Sequence, residues 1–187
     1  MTGSFEPDGA PYAVEGEGPV SLVLLSAAEL DGDGLGVVAH YLAEEAGFQV
    51  TRIGTRSRAD AKKPTIADRV SDAAAVMDHL GITHTWIGGH GFGGTIARHF
   101  SAEHPDRVNG LLLLGVEEES IPLPPVMPVL IVQGADDDIT PPANGEGLRS
   151  TAAERASVST IDGADHRFPV THPVETALIN EEYLDWD

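Results

Sequence analysis

The sequence predicts an α/β fold, a mostly parallel central sheet flanked by helices. Three observations predict it. Short continuous apolar runs, such as "VSLVLLS" (Val20 to Ser26), "VNGLLLLG" and "PVLIVQG", have the character of strands buried on both faces. Segments with an apolar stripe of helical period lie between them. The two kinds alternate along most of the chain, as crossovers between parallel strands require. A chain of 187 residues suits one domain, so residues 1–187 are read as one. Residues 1–10 are rich in Gly, Ser, Pro and Asp and are expected to form a flexible end.

The elements follow in order. After the strand at Val20 to Ser26 and a loop, "LGVVAHYLAEEAG" reads as a helix. Leu35, Val38, Leu42 and Ala46 share one face, and Gly47 stops it. "FQVTRIG" is the next strand. Thr55 to Lys63 is a polar loop. "PTIADRVSDAAAVMDHLG" is the strongest helix, with Ile66, Val70, Ala73, Met77 and Leu80 in one stripe, Pro64 near its start and Gly81 at its end. "HTWIG" is a strand, and a helix runs from near Gly94 to about His104, where Pro105 marks the boundary. "VNGLLLLG" and "PVLIVQG" are strands, "ANGEGLRSTAAE" a short helix, "ASVSTI" a strand and "VETALINEEYLD" the last helix. Between Gly115 and Val129 lies only a proline-rich linker.

Composition removes several functions. With no cysteine, disulfides, thiolate metal sites and cysteine nucleophiles are excluded. No apolar run is long enough to span a membrane, and the N-terminus lacks the pattern of a signal peptide, so a cytoplasmic protein is expected. The net charge is −19, from 30 acids against 11 bases. Such a surface repels phosphate backbones and anionic lipid, so neither nucleic acid nor membrane is an expected partner. The bases gather unevenly: Arg52, Arg56, Arg58, Lys62 and Lys63 fall in one stretch. A solvated loop is the ordinary explanation, and an anion-binding loop the alternative.

The stretch that carries chemistry is "WIGGHGFGGTIARHF", Trp86 to Phe100. Gly89, Gly91 and Gly94 match G-x-G-x-x-G, the turn that cradles a dinucleotide, and Glu117 lies at a suitable distance to take a ribose hydroxyl. Gly89 and Gly93 also match the frame of the nucleophile elbow, G-x-S-x-G, with Gly91 at the serine position. Two features argue for the elbow. The dinucleotide turn usually opens its fold, whereas here two strand–helix units precede it. It also leaves "VLIVQGADDDITPP" and "IDGADHRFPVTHP" unexplained. Gly91, Asp137 and His166 each fall just beyond the carboxyl end of a strand, where open parallel sheets place their sites. Their order, nucleophile position, acid, histidine, is the hydrolase order.

On these segments the chain resembles the α/β-hydrolase-fold family over nearly its whole length. The likeness runs from "YAVEGEGPVSLVLLS" through "GTRSRADAKKPTIADRVSDAAAVMDHLGI" and the elbow segment to the two acid and histidine segments. The resemblance implies a three-layer sandwich with Asp137 as triad acid, His166 as triad base and the Phe92 N–H as an oxyanion donor. The chain departs from the family in three places. Gly91 replaces the serine. "SAAEL" replaces the usual His-Gly after the first central strand, leaving the Ala27 N–H as candidate second donor. The proline linker stands where a cap domain is usual, so no cap domain is expected.

Glycine accepts positive φ without strain, so Gly91 should relax a turn that a Cβ would strain. Without a hydroxyl at 91 there is no acyl-enzyme. Ser26 is a candidate substitute nucleophile, with a strand-end capping role as the ordinary alternative, and His90 reads as a packing or hydrogen-bonding neighbour. Glu117, Glu118 and Glu119, which follow a central strand, are the fallback for the acid. Asp136, Asp137 and Asp138 follow one another and cannot all point inward, so no metal is expected, and no cofactor either. The expectation is a hydrolase-fold protein without conventional serine esterase activity that binds a small ligand or a protein partner. The alternative is a hydrolase or lyase using Asp137–His166 as general base, and the third reading is dinucleotide binding.

Overall fold

The computed structural model describes residues 2–4, 9–30, 32, 34–56 and 63–184. Among the described residues, alternation of apolar strands and amphipathic helices produces eight strands: β1 (Thr2–Ser4), β2 (Pro11–Glu15), β3 (Ser21–Leu25), β4 (Gln49–Ile53), β5 (Thr85–His90), β6 (Val108–Leu114), β7 (Val129–Gly134) and β8 (Ala156–Ile161). The helices are α1 (Gly36–Glu44), α2 (Ile66–Leu80), α3 (Phe92–Glu103), α4 (Pro142–Ser150), α5 (Phe168–Thr171) and α6 (Pro173–Leu184). One sheet has the order β1-β2-β4-β3-β5-β6-β7-β8. β1 and β2 pair antiparallel at one edge, and every pair from β4 to β8 is parallel.

Successive strand residues point to opposite faces, and each face buries its own core. Val23, Leu25, Ile87, Leu111, Leu113 and Ile131 pack with Val70 and Met77 of α2, and with Ile96 and Phe100 of α3. The intervening Leu22, Leu24, Trp86, Leu112, Leu130 and Val132 pack with Val38 and Leu42 of α1 and Ala177 of α6. This is why β3, β6 and β7 read as continuous apolar runs. The α/β class, the mostly parallel sheet and its helical flanks are as the sequence predicts.

α2 begins as its sequence requires. The Thr65 hydroxyl accepts from the Asp68 N–H and the Asp68 carboxylate accepts from the Thr65 N–H, a capping box. Gly81 ends it in the left-handed conformation. α4 stops at Ser150, short of the expected Glu154, because the Ser150 and Thr151 hydroxyls donate to the Gly147 and Leu148 carbonyls and turn the chain. β1, β2 and α5 were not foreseen. β2 is short with mixed burial, and α5 is a single turn started by Pro169. Within the expected flexible end, Thr2–Ser4 is paired with β2, whereas residues 5–8 lie outside the described residues.

The segment from Gly115 to Pro128 carries no helix or strand, as read from its prolines. It is nonetheless tied down. Gln133 accepts from the Val116 N–H at 2.8 Å, and Asn144 donates to the Val116 carbonyl at 3.0 Å. The buried Arg98 donates to the carbonyls of Glu119 (2.8 Å) and Ile121 (3.0 Å). In the basic stretch, Arg56 is paired with the buried Asp72, and Arg52 donates to the Leu30 carbonyl. Arg58 and Lys62 lie outside the described residues.

Candidate active site

The chain order places β4 on one side of β3 and β5 on the other, so the crossover direction reverses at β3. Open sheets hold their ligands beyond the carboxyl ends of strands at such a point. Gly91 sits there, between β5 and α3, with φ 54° and ψ −118°. Only glycine adopts this region without strain. Its N–H donates to the Leu114 carbonyl at 2.8 Å, and its carbonyl accepts from Thr95 at 3.2 Å, so the turn is locked at both ends.

The neighbouring glycines serve packing. A Cβ on Gly93 would lie 2.0 Å from the Leu25 carbonyl oxygen, and one on Gly94 would lie 3.0 Å from that of Gly89. Their absence lets α3 start directly against β3 and β5, so the helix begins at Phe92 rather than near Gly94. Close approach thus explains the spacing that matched a dinucleotide turn. Glu117, the candidate ribose ligand and fallback acid, instead accepts a hydrogen bond from the Thr95 hydroxyl at 2.5 Å.

Asp137 follows β7 in a tight turn and is buried, whereas Asp136 and Asp138 are exposed. Its Oδ1 accepts from the N–H groups of Ile139 (2.9 Å) and Thr140 (2.8 Å). Its Oδ2 accepts from the Thr140 hydroxyl at 2.6 Å and lies 2.9 Å from His166 Nδ1. Burial pushes the carboxyl up, but the hydrogen bonds from Thr140, His166 and Ile139 together hold it below its ordinary 3.8. An ionised Asp137 makes Nδ1 of His166 the protonated nitrogen and leaves Nε2 as an acceptor. That Nε2 would lie 3.6 Å from a Cβ on Gly91. The structure therefore brings Gly91, His166 and Asp137 into one line.

Thr140 was missed by the sequence reading. The signal was available: an aspartate with a threonine three residues on, before Pro141, is a side-chain-capped turn. Replacing Thr140 by Val removes a buried donor from Asp137 and is expected to cost about 1–3 kcal/mol in denaturant unfolding.

His90 stacks on His166, ring centroids 4.4 Å apart, and meets Phe168 edge-on at 5.6 Å. Burial, reinforced by the neighbouring His166, lowers its pKa to about 4. Between pH 6.5 and about 4 the unfolded chain therefore binds a proton that native His90 refuses. Stability should rise with pH across that window, and His90→Phe should remove this part of the slope in urea titrations. A neutral His90 also leaves His166 free of an adjacent fixed positive charge.

Ser26 directly follows β3 and is fully buried. Its hydroxyl donates to the Glu29 carbonyl and accepts from the Ala28 N–H, both at 3.3 Å, and Arg69 donates to its carbonyl. No hydrogen bond links Ser26 to His166 among the described residues. Ala27 N lies 3.3 Å from the place of a Cβ on Gly93, which sets it beside the first turn of α3. The Phe92 N–H belongs to that turn and has no partner within its helix. Phe92, Ile139 and Val170, close in sequence to Gly91, Asp137 and His166, expose apolar side chains. Among the described residues, no three of His, Asp or Glu gather as a metal site, and no helix is long and apolar enough to cross a membrane.

A three-layer α/β sheet with a glycine turn, a buried aspartate and a histidine beyond its strand ends defines the class. The chain has the alpha/beta hydrolase fold, and the model of that family matches residues 47–127. It is similar to the lipase LipV of Mycobacterium tuberculosis, 36% identical over 77 residues. That match covers 41% of this chain and only 30% of the lipase. In structure it is similar to a thermophilic esterase from Thermogutta terrifontis, with TM-score 0.79, 18% identity, and 99% and 97% of the two chains covered. A mutant of the meta-cleavage product hydrolase CumD superimposes with TM-score 0.84 at 12% identity, covering 100% and 98%.

Proposed function

We propose that this is a hydrolase-fold protein that lacks the serine nucleophile, has no conventional serine esterase activity and binds a small ligand or protein partner in its open crevice. One observation carries the reading: the position facing His166 Nε2 at the elbow is Gly91, which offers no Oγ. The acid, the base and the amide donors remain around that position. The segment from Gly115 to Pro128 replaces a cap domain, so the crevice is uncovered. The exposed apolar side chains of Phe92, Ile139 and Val170, each within a few residues of Gly91, Asp137 or His166, support binding there. The test is acyl-enzyme formation: mass spectrometry of the protein after a short p-nitrophenyl ester should find no covalent acyl adduct.

A second reading is favoured by the intact Asp137–His166 contact. His166 Nε2 is aimed at the Gly91 position, 3.6 Å from the place of a Cβ there, so the pair can act as general base on a bound water or substrate, with the Phe92 and Ala27 N–H groups steadying a developing oxyanion. Hydrolysis or lyase chemistry would then proceed without an acyl-enzyme. Turnover that disappears in His166→Ala, with no adduct on the wild-type protein, establishes this reading. Turnover that survives His166→Ala removes it. Calorimetry with NAD(H) tests the dinucleotide alternative, and no binding is expected.

A further inference from the structure

The Trp86 indole takes no part in the elbow. Trp86 lies at the amino end of β5, whereas Gly91 follows the carboxyl end, and roughly 15 Å of extended chain separates them. The indole has room because Gly110 of β6 is its partner in the sheet. A Cβ on Gly110 would stand 2.1, 2.5 and 2.6 Å from atoms of the six-membered ring. The indole therefore takes the place of a side chain on β6, and it meets Tyr183 of α6 edge-on, ring centroids 5.8 Å apart. Against it opens a cavity of about 560 Å³, in the range of small-molecule sites. Trp86, Leu130 of β7 and Ile179 of α6 give it apolar walls, and Ser157 and Ser159 of β8 bring hydroxyls. Glu182 is the one charged residue that lines it among the described residues, and no ion pair engages Glu182 there.

We propose that this cavity is a second binding site, for a small organic monocation with an apolar body, an arylalkylammonium or its like. The body lies against Leu130 and Ile179, and the ammonium lies between Glu182 and the aromatic pair. Apolar walls with one acid and no base select a positive charge and reject a negative one. An ammonium also gains from the π-systems of Trp86 and Tyr183. The Ser157 and Ser159 hydroxyls can accept its N–H groups. The net charge of −19 draws cations towards the whole protein. That field alone would hold them anywhere on the surface, and the apolar walls are what confine this class to one place. The site shares no residue with Gly91, Asp137 and His166, so it stands or falls apart from the proposed function.

Titration of the methyl-labelled protein at neutral pH, followed by NMR, tests this. Phenethylamine should shift the methyls of Leu130 and Ile179. It should leave unmoved those of Ile139 and Val170, which follow Asp137 and His166 in the chain. Phenethyl alcohol, its neutral analogue, should bind in the same place about tenfold more weakly. Phenylacetate, an anion, and methylammonium, a cation without the body, should shift neither Leu130 nor Ile179. Glu182→Gln should bring the amine down to the level of the alcohol and leave the alcohol unchanged. Ser157→Trp fills the cavity from an exposed position on β8 and should abolish binding of both. The site is overturned if the amine leaves Leu130 and Ile179 unmoved, if the alcohol binds as tightly, or if Glu182→Gln keeps the amine's advantage. Methylammonium shifting the same methyls as strongly as the amine would also overturn it, by reducing the effect to the acidic surface at large.

Discussion

Gly91→Ser is expected to release p-nitrophenol from a short p-nitrophenyl ester in a burst matching the enzyme concentration. The geometry is already in place. A Cβ at 91 would stand 3.6 Å from His166 Nε2, which leaves an Oγ within hydrogen-bond reach of the ring. Asp137 is ionised and fixed by Thr140, so it holds the tautomer a general base needs. In the proposed reading the amides of Phe92 and Ala27 receive the oxyanion. Release of p-nitrophenol should exceed that from the wild-type protein by on the order of a hundredfold or more, the contribution of one well-placed acid–base group. His166→Ala in the same background should return it to the wild-type level. The substitution has a cost, because φ 54° with ψ −118° strains any residue with a Cβ. A loss of roughly 1–3 kcal/mol is expected in denaturant unfolding. A serine that is acylated would show that only the nucleophile had been given up. A correctly folded, unacylated serine would show that the Ala27 loop no longer forms an oxyanion hole.

The line of Gly91, Asp137 and His166 was legible because each follows a segment that reads as a strand, β5, β7 and β8, and strand ends fix position to within a few residues. β3, β6 and β7 bury both faces, so their centres, residues 22–25, 111–114 and 129–132, are wholly apolar. Thr140, His90 and Arg98 were harder. Their roles depend on contacts over long sequence separations, and no local period records that Thr140 touches His166 or that Arg98 grips Glu119 and Ile121. β1 and β2 are short and lie at the antiparallel edge, and β2 buries only part of its side chains, so the patterning there is weak. The glycine cluster was ambiguous for a physical reason. Dinucleotide turns and elbows both need glycine where a helix starts against strands, and the sequence alone does not say which backbone atom each glycine accommodates.

That accommodation makes Gly93→Ala the most damaging small substitution to expect. The added Cβ would stand 2.0 Å from the Leu25 carbonyl oxygen and 3.1 Å from its carbon. Both are backbone atoms of a central strand, hydrogen-bonded on either side through β4 and β5, so they cannot retreat. The helix must move instead, by more than an ångström. Ile96, Ala97 and Phe100, all fully buried on α3, would lose their seats against Leu25, Ile87 and Leu113. Overpacking of this kind costs about 1–3 kcal/mol, and more when the clash is with rigid backbone. A loss above 3 kcal/mol or failure to fold is therefore expected, read from the midpoint of urea unfolding. Gly147→Ala is the matching control. It lies inside α4, its Cβ would meet nothing within 4 Å, and alanine is the better helix former. It should raise stability by about 0.5–1 kcal/mol. The same chemical change thus has opposite signs at two helical glycines, decided by what stands in front of the new methyl group. Equal effects at the two sites would refute the close seating of α3 on β3, and with it the position assigned to the elbow.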